Sequence, residues 1–318
     1  MRTHVVAGVL AAAVAASGGS LALLTGVAQA RVAPHRAGAA VTYSFTTLDD
    51  QADPTFNQLL GINSHNVISG YFGSGAAGHP NKGYLLYPPY AQSNYVNENF
   101  PGSAQTQVTG LNNLGDTSGF WVTANNTNHG FIEWNGVFTS YNDPNTPHMA
   151  GSVNQILGIN NSGEAVGFYN DKNGHAHAFR LNQGTGKFAA IVVPGTSVTA
   201  TGVNTAGDVV GISTTGGVTS SWLKIGSSLT AFQFPGGSDT QAFGINSKNQ
   251  IVGSYLDGSG VQHGFVLTNP LGPHSVWQSI DDPNGVGSTL VNGINTAGDL
   301  VGFYTDAAGN TDGMLATP

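Results

Sequence analysis

A glycine, an aliphatic residue and an asparagine, followed nine residues after that glycine by a second glycine, recur six times along the 318 residues of the chain. The first glycines are Gly61, Gly110, Gly158, Gly202, Gly244 and Gly293, and their partners are Gly70, Gly119, Gly167, Gly211, Gly253 and Gly302. Copies begin 42 to 49 residues apart. That interval is too short for a domain and too long for one hairpin, so each copy is a unit that buries its faces against its neighbours.

One copy reads as four strands. In the third these are Gln155 to Asn160, Ala165 to Asn170, His177 to Leu181 and Phe188 to Val193. Between the first two, an asparagine at the start of the turn caps its own backbone, and the residue three later takes positive φ, which only Gly or Asn adopts cheaply. The six occupants of that later position are Asn66, Gly115, Gly163, Gly207, Asn249 and Gly298, as a type I turn with a glycine bulge requires. The last copy supplies only three strands, and Tyr43 to Asp50 matches the outer strand Trp277 to Asp282. The expected fold is therefore all-β, a six-bladed β-propeller of four-stranded blades over residues 41–318, whose sixth blade is closed by the N-terminal strand.

Residues 1–30 read as a signal peptide. Arg2 precedes a small, apolar stretch, and Ala28-Gln29-Ala30 carries the small residues a signal peptidase accepts. Cleavage there leaves a flexible lead over residues 31–40 and no membrane segment, so the expected location is extracellular. Cleavage also leaves eight basic against 17 acidic residues, with the five lysines scattered, which argues against nucleic acid as a partner. The chain has no cysteine, so disulfides and thiolate metal sites are excluded and stability must come from packing and chain closure. A monomer is expected.

The run Gly158 to Tyr169, Gly-Ile-Asn-x-x-Gly-x-x-Val-Gly-x-Tyr, followed by His177-Ala178-Phe179, resembles the extracellular HAF-repeat family. His129-Gly130-Phe131 and His263-Gly264-Phe265 match it closely; Lys82-Gly83-Tyr84, Ser220-Ser221-Trp222 and Asp312-Gly313-Met314 depart from it. The resemblance extends over the mature chain and implies a secreted repeat protein of propeller type. It carries no catalytic residues to transfer.

Site candidates fall on one face of the ring, where the outer-to-inner loops meet the loops between second and third strands. His129, His177 and His263 are candidate binding residues, although their recurrence in several blades points first to a structural hydrogen bond. His175 lies two residues before His177 on the same strand face, a weak two-nitrogen metal signal. Departures from the repeat are sharper. Three outer-to-inner loops carry Pro-Gly turns, whereas the others carry Asp143-Pro144, Asp281-Asp282-Pro283 and Asp49-Asp50. Asp49, Asp50, Asp281 and Asp282 belong to neighbouring blades, and converging carboxylates share a proton or collect a cation; oxygen-only ligands favour Ca2+. The plainer reading is that each Asp caps its own turn. Tyr87 to Tyr95 forms a longer loop on the opposite face, and the spacing of Glu98, Glu133 and Glu164 pairs none of them for acid–base work. Nucleophile elbows, phosphate loops and dinucleotide fingerprints are missing. Two functions are carried forward: a secreted binding module for an extracellular glycan or protein partner, and an extracellular polysaccharide hydrolase or lyase with a cation-assisted acidic site.

Overall fold

A computed structural model describes residues 40–318 except Pro273; the expected signal peptide lies outside them, as does all of the expected lead but Ala40. The described residues form six four-stranded antiparallel sheets, five of them running in chain order from the axis outward, and together they make a β-propeller. Blades 1 to 5 begin at Asn57, Gln105, Asn154, Ser197 and Ser238. Blade 6 takes its three inner strands, Thr289–Ile294, Leu300–Thr305 and Thr311–Thr317, from the C-terminal end. Its outer strand is Ser44–Thr47, paired antiparallel with Ser44 opposite Thr317 and Thr47 opposite Met314. The N-terminal strand Ser44–Thr47 therefore closes the ring, as the sequence indicates.

Each part of the repeated motif has a packing reason. The first glycines form a collar around the axis: a Cβ on Gly158 would lie 3.3 Å from the Gly202 Cα, and one on Gly293 would lie 3.1 Å from the Gly61 Cα. A one-residue register shift falls just before each of these glycines; in blade 3 it lies between Ile156 and Gly158. The second glycine lies against an inner-strand carbonyl that a side chain would overlap: Gln155 O faces Gly167, for example. The register also sets Tyr84, Phe131, Phe179, Trp222, Phe265 and Met314 directly across from the six second glycines. Each of those large side chains is at most 1% exposed, and burying one contributes roughly 1.5–3 kcal/mol. The middle residue of His-x-Phe is small because it abuts the next blade: a Cβ on Gly264 would meet Val291, and one on Gly130 would meet Ile156.

The turn asparagines do more than the sequence suggests. Asn160 Oδ1 accepts the N–H groups of Ser162 and Glu164, the expected cap. Its Nδ2 then donates to the Asn204 carbonyl of the next blade at 2.9 Å. The same inter-blade bond runs from Asn63 to Asn112, from Asn112 to Asn160, from Asn204 to Asn246 and from Asn246 to Asn295. Across the closure, Asn295 Nδ2 reaches Asn66 Oδ1 instead, at 2.9 Å. All six residues expected to take positive φ do so, from 57° at Asn249 to 103° at Gly298.

Candidate functional site

On the opposite, loop-bearing face the strand register pairs an aromatic residue of the second strand with a polar residue of the third. Trp121 faces His129, Tyr169 faces His177 and Tyr255 faces His263. In each pair the rings stack, with centroids 4.6, 5.2 and 5.3 Å apart. The partner of the aromatic ring on its other side comes from the preceding blade. Phe100 stacks on Trp121 at 4.6 Å, and Phe234 stacks on Tyr255 at 3.6 Å, each within 6° of parallel. In blade 3 the corresponding residue is Asp143, so Tyr169 stacks on His177 alone.

The histidines differ in their polar partners as well. His263 Nδ1 bonds Asp281 Oδ1 at 2.7 Å, and its Nε2 lies 3.5 Å from Asp257. Burial pushes this imidazole down, but the two aspartates more than compensate and hold it above the ordinary histidine value. His129 Nδ1 bonds Asn142 at 3.2 Å. His177 Nε2 bonds Asp171, which stands where Asp257 does in blade 5, but Val192, 80% exposed, stands where Asp281 and Asn142 do. His175 also leans on Asp171, at 3.7 Å. Burial raises the Asp171 carboxyl, but hydrogen bonds from His177 and from the His175 and Asn173 N–H groups together outweigh it and bring the pKa to about 2.

The structure separates the paired acids of the sequence. Asp282 Oδ1 caps the Asn284 N–H, Asp50 Oδ1 caps that of Ala52, and Asp143 Oδ1 caps that of Asn145. These three are the turn residues of the plainer reading. Asp281 is bound to His263 of its own blade, and Asp49 accepts the Gly313 N–H of blade 6. The reason is alternation: in each pair the first residue faces its own third strand and the second turns into the loop. Asp49, Asp50, Asp281 and Asp282 therefore do not assemble into one ligand set, and among the described residues no group of three or more His, Cys, Asp or Glu side chains is placed to hold a metal ion.

A different acidic group forms in blade 6. Asp306 and Asp49 occupy the positions of Asp257 and Asp281, with Asp312 where blade 5 has His263. Burial first, and then the charges of Asp312 and Asp306, raise Asp49 to about 6. Asp312 is raised by burial, Asp306 and Asp282. Asp282 is 3% exposed, is raised by burial, and leaves its Oδ2 without a hydrogen-bond partner. Between blades 1 and 2, burial and the charge of Glu133 raise Glu98 to about 7 against a 2.8 Å bond from Thr117, an encounter the spacing of the glutamates does not reveal. In the Tyr87–Tyr95 loop, Tyr90 bonds the Asn66 carbonyl and Tyr95 packs edge-on against Tyr84, so these two rings serve the fold.

A cavity of about 300 Å3 opens on the loop face over blade 3. Its polar lining comes from Asp143, Asn145, His177 and Thr196, and its apolar lining from Tyr169, Phe188, Ile191 and neighbouring valines. It thus unites two of the residues singled out in the sequence, Asp143 and His177, with Tyr169, which ends the repeated motif but was not a site candidate. Tyr169 is detectable only through the register, because the pairing that sets it on His177 is spatial.

No family model matches the chain and no curated protein matches it. Among solved structures, the chain is similar to a Dyadobacter fermentans protein of unknown function, with a TM-score of 0.54, 9% identity, and 86% of this chain and 97% of that one covered. A gluconolactonase-like protein gives a TM-score of 0.48 at 12% identity, covering 87% and 93%. The Aleuria aurantia lectin, solved with Fucα1-6GlcNAc, gives 0.46 at 13% identity, covering 82% and 91%. These likenesses are of fold.

Proposed function

We propose that the chain is a secreted propeller of HAF-repeat type that works as a binding module for an extracellular glycan, with the loop face as its recognition surface. The cavity over blade 3 carries this reading, because apolar walls there meet an aromatic–histidine pair, an aspartate and an asparagine. A saccharide offers an apolar ring face and a rim of hydroxyls, and a concave site with a few oriented polar groups suits both. The signal-peptide reading of residues 1–30 supplies the extracellular location, and the acidic balance disfavours polyanions.

The second reading, a polysaccharide hydrolase or lyase, is favoured by a separate observation: Asp49, with a pKa near 6, stands beside Asp312 and Asp306, and a carboxyl that holds its proton near neutrality suits acid–base chemistry. The Ca2+ expected from Asp49, Asp50, Asp281 and Asp282 belongs to this second reading, and the screen below tests it directly. A glycan array run beside a polysaccharide-degradation screen, each with added Ca2+ and with chelator, separates the two. Binding without turnover supports the module. Turnover abolished by Asp49→Asn would replace it with the enzyme, and retention of an extracellular protein with no glycan on the array would replace the glycan as partner.

A further inference from the structure

Blades 2, 3 and 5 share one loop-face design, and their differences define what blade 3 lacks. In blades 2 and 5 the second-strand ring lies between a histidine and a phenylalanine from the preceding blade. Those phenylalanines sit in Phe100-Pro101-Gly102 and Phe234-Pro235-Gly236, whereas the same loop before blade 3 reads Asp143-Pro144-Asn145. The histidines of blades 2 and 5 also have their Nδ1 satisfied by the outer strand of their own blade, through Asn142 and Asp281. In blade 3 that position is Val192, so His177 is bonded through Nε2 to Asp171 and has no Nδ1 partner among the described residues. His177 and His263 share one ring orientation, since both turn Nε2 to the aspartate of the preceding loop. Nδ1 of His177 therefore points the way that Nδ1 of His263 does, toward the Val192 side, and Val192 lines the cavity. With Nε2–H donated to Asp171, Nδ1 is a hydrogen-bond acceptor.

Blade 3 thus lacks two complements at once, a flat ring over Tyr169 and a hydrogen-bond donor for His177. The cavity lies between the elements that supply them in the other blades, from Asp143-Pro144-Asn145 on one side to Val192 and Val193 on the other. We propose that blade 3 is a monosaccharide seat completed by its ligand: a pyranose ring lies against Tyr169 where Phe100 and Phe234 cover Trp121 and Tyr255, and one of its hydroxyls donates to Nδ1 of His177. Asp143 and Asn145 stand at the ring edge, where their polar groups meet the remaining hydroxyls. One sugar residue suits a cavity of about 300 Å3, with the rest of a chain running outward over the exposed rim. Blades 2 and 5 are closed to such a ligand by their own phenylalanines.

This proposal rests on the glycan-binding reading and is tested so that the two can fail separately. The probes are methyl glycosides of glucose, galactose, mannose, xylose and fucose, followed by saturation-transfer NMR and by calorimetry with an oligosaccharide of whichever sugar responds. Tyr169→Ala and His177→Ala should each weaken binding at least about tenfold. The decisive variant carries Asp143→Phe and Asn145→Gly, which rebuilds the Phe-Pro-Gly loop of blades 1 and 4 before blade 3. It should abolish binding while melting no lower than the parent, because it supplies the missing ring from within. Val192→Asp, which gives His177 the partner His263 already has, should weaken binding in the same direction. Full binding by the Phe-Pro-Gly variant would overturn the seat and leave glycan recognition elsewhere on the face. A parent protein that answers to none of the probes would overturn both.

Discussion

The two faces of the ring use repetition in opposite ways. On the turn face all six blades carry the same asparagine, each capping its own turn, and five of the six hand Nδ2 to the next blade's asparagine carbonyl. On the loop face the same register positions hold Trp121, Tyr169 and Tyr255 over histidines in three blades, Tyr304 over Asp312 in a fourth, and Ser213 over Ser220 in another. Uniform positions answer a demand that every blade makes, which is backbone geometry and ring closure. Positions that vary within a constant frame are released from that demand, and chemistry collects there.

The largest effect should come from opening the ring itself. Deleting residues 41–50 removes Ser44–Thr47 and exposes the edge of Thr311–Thr317. It should cost several kcal/mol, a large share of the roughly 5–15 that a domain typically has, and be read as a collapse of the melting temperature. A truncated chain melting with the parent would break the comparison at its root. Next in size, Asn160→Ala removes the cap and the inter-blade bond together and should cost about 2–3 kcal/mol by denaturant titration. The loop-face change Asn142→Ala, which loses one exposed contact to His129, should cost less than about 0.5. Equal costs would mean that the turn-face bonds are incidental.

The fold was legible because its requirements fall on glycine and asparagine, residues with few substitutes where φ is positive or backbones nearly touch. The closing strand was legible because Leu48-Asp49-Asp50 repeats Ile280-Asp281-Asp282. The site was legible in part. Asp143 and His177 were named and do share a cavity, but the ring that joins them, Tyr169, is set on His177 by a cross-strand register that spacing alone does not show. The acids were misgrouped for the same reason: Asp49 and Asp281 are adjacent in the pattern of the loops yet face different third strands, and the group that does form includes Asp306, an ordinary turn residue in the sequence, and Asp312, which stands in the histidine position of the repeat.

A comparison of pH responses sharpens the contrast between seams and site. Glu98 lies in the seam between blades 1 and 2 with its pKa raised to about 7. A raised acid binds more protons folded than unfolded, so its stabilising contribution is complete below the ordinary value of about 4.5 and is lost as pH rises through about 7. Glu98→Gln should therefore raise stability by about 1–2 kcal/mol at pH 8 relative to the parent and by much less at pH 5, with Thr117 still bonded to the amide oxygen. Melting curves at the two pH values check it. A gain of equal size at both would show that the carboxyl is ionised throughout and the seam is indifferent to its charge.

A last prediction tests whether the turn face is set by backbone alone. Gly163 has φ of 70°, and Asn66 and Asn249 hold the equivalent positions at 61° and 57°. Asparagine tolerates this region and a β-branched residue does not. A Cβ at Gly163 would come within 3.0 Å of Gln183 Oε1, the end of a flexible side chain that can swing away. Gly163→Asn should thus change stability by less than about 0.5 kcal/mol, whereas Gly163→Val should cost more than about 1. Neither should alter glycan binding, because the turn and the blade 3 cavity open on opposite faces. If both substitutions cost the same, the constraint would lie in space around the turn and not in φ, and the uniformity of the six turns would need another cause.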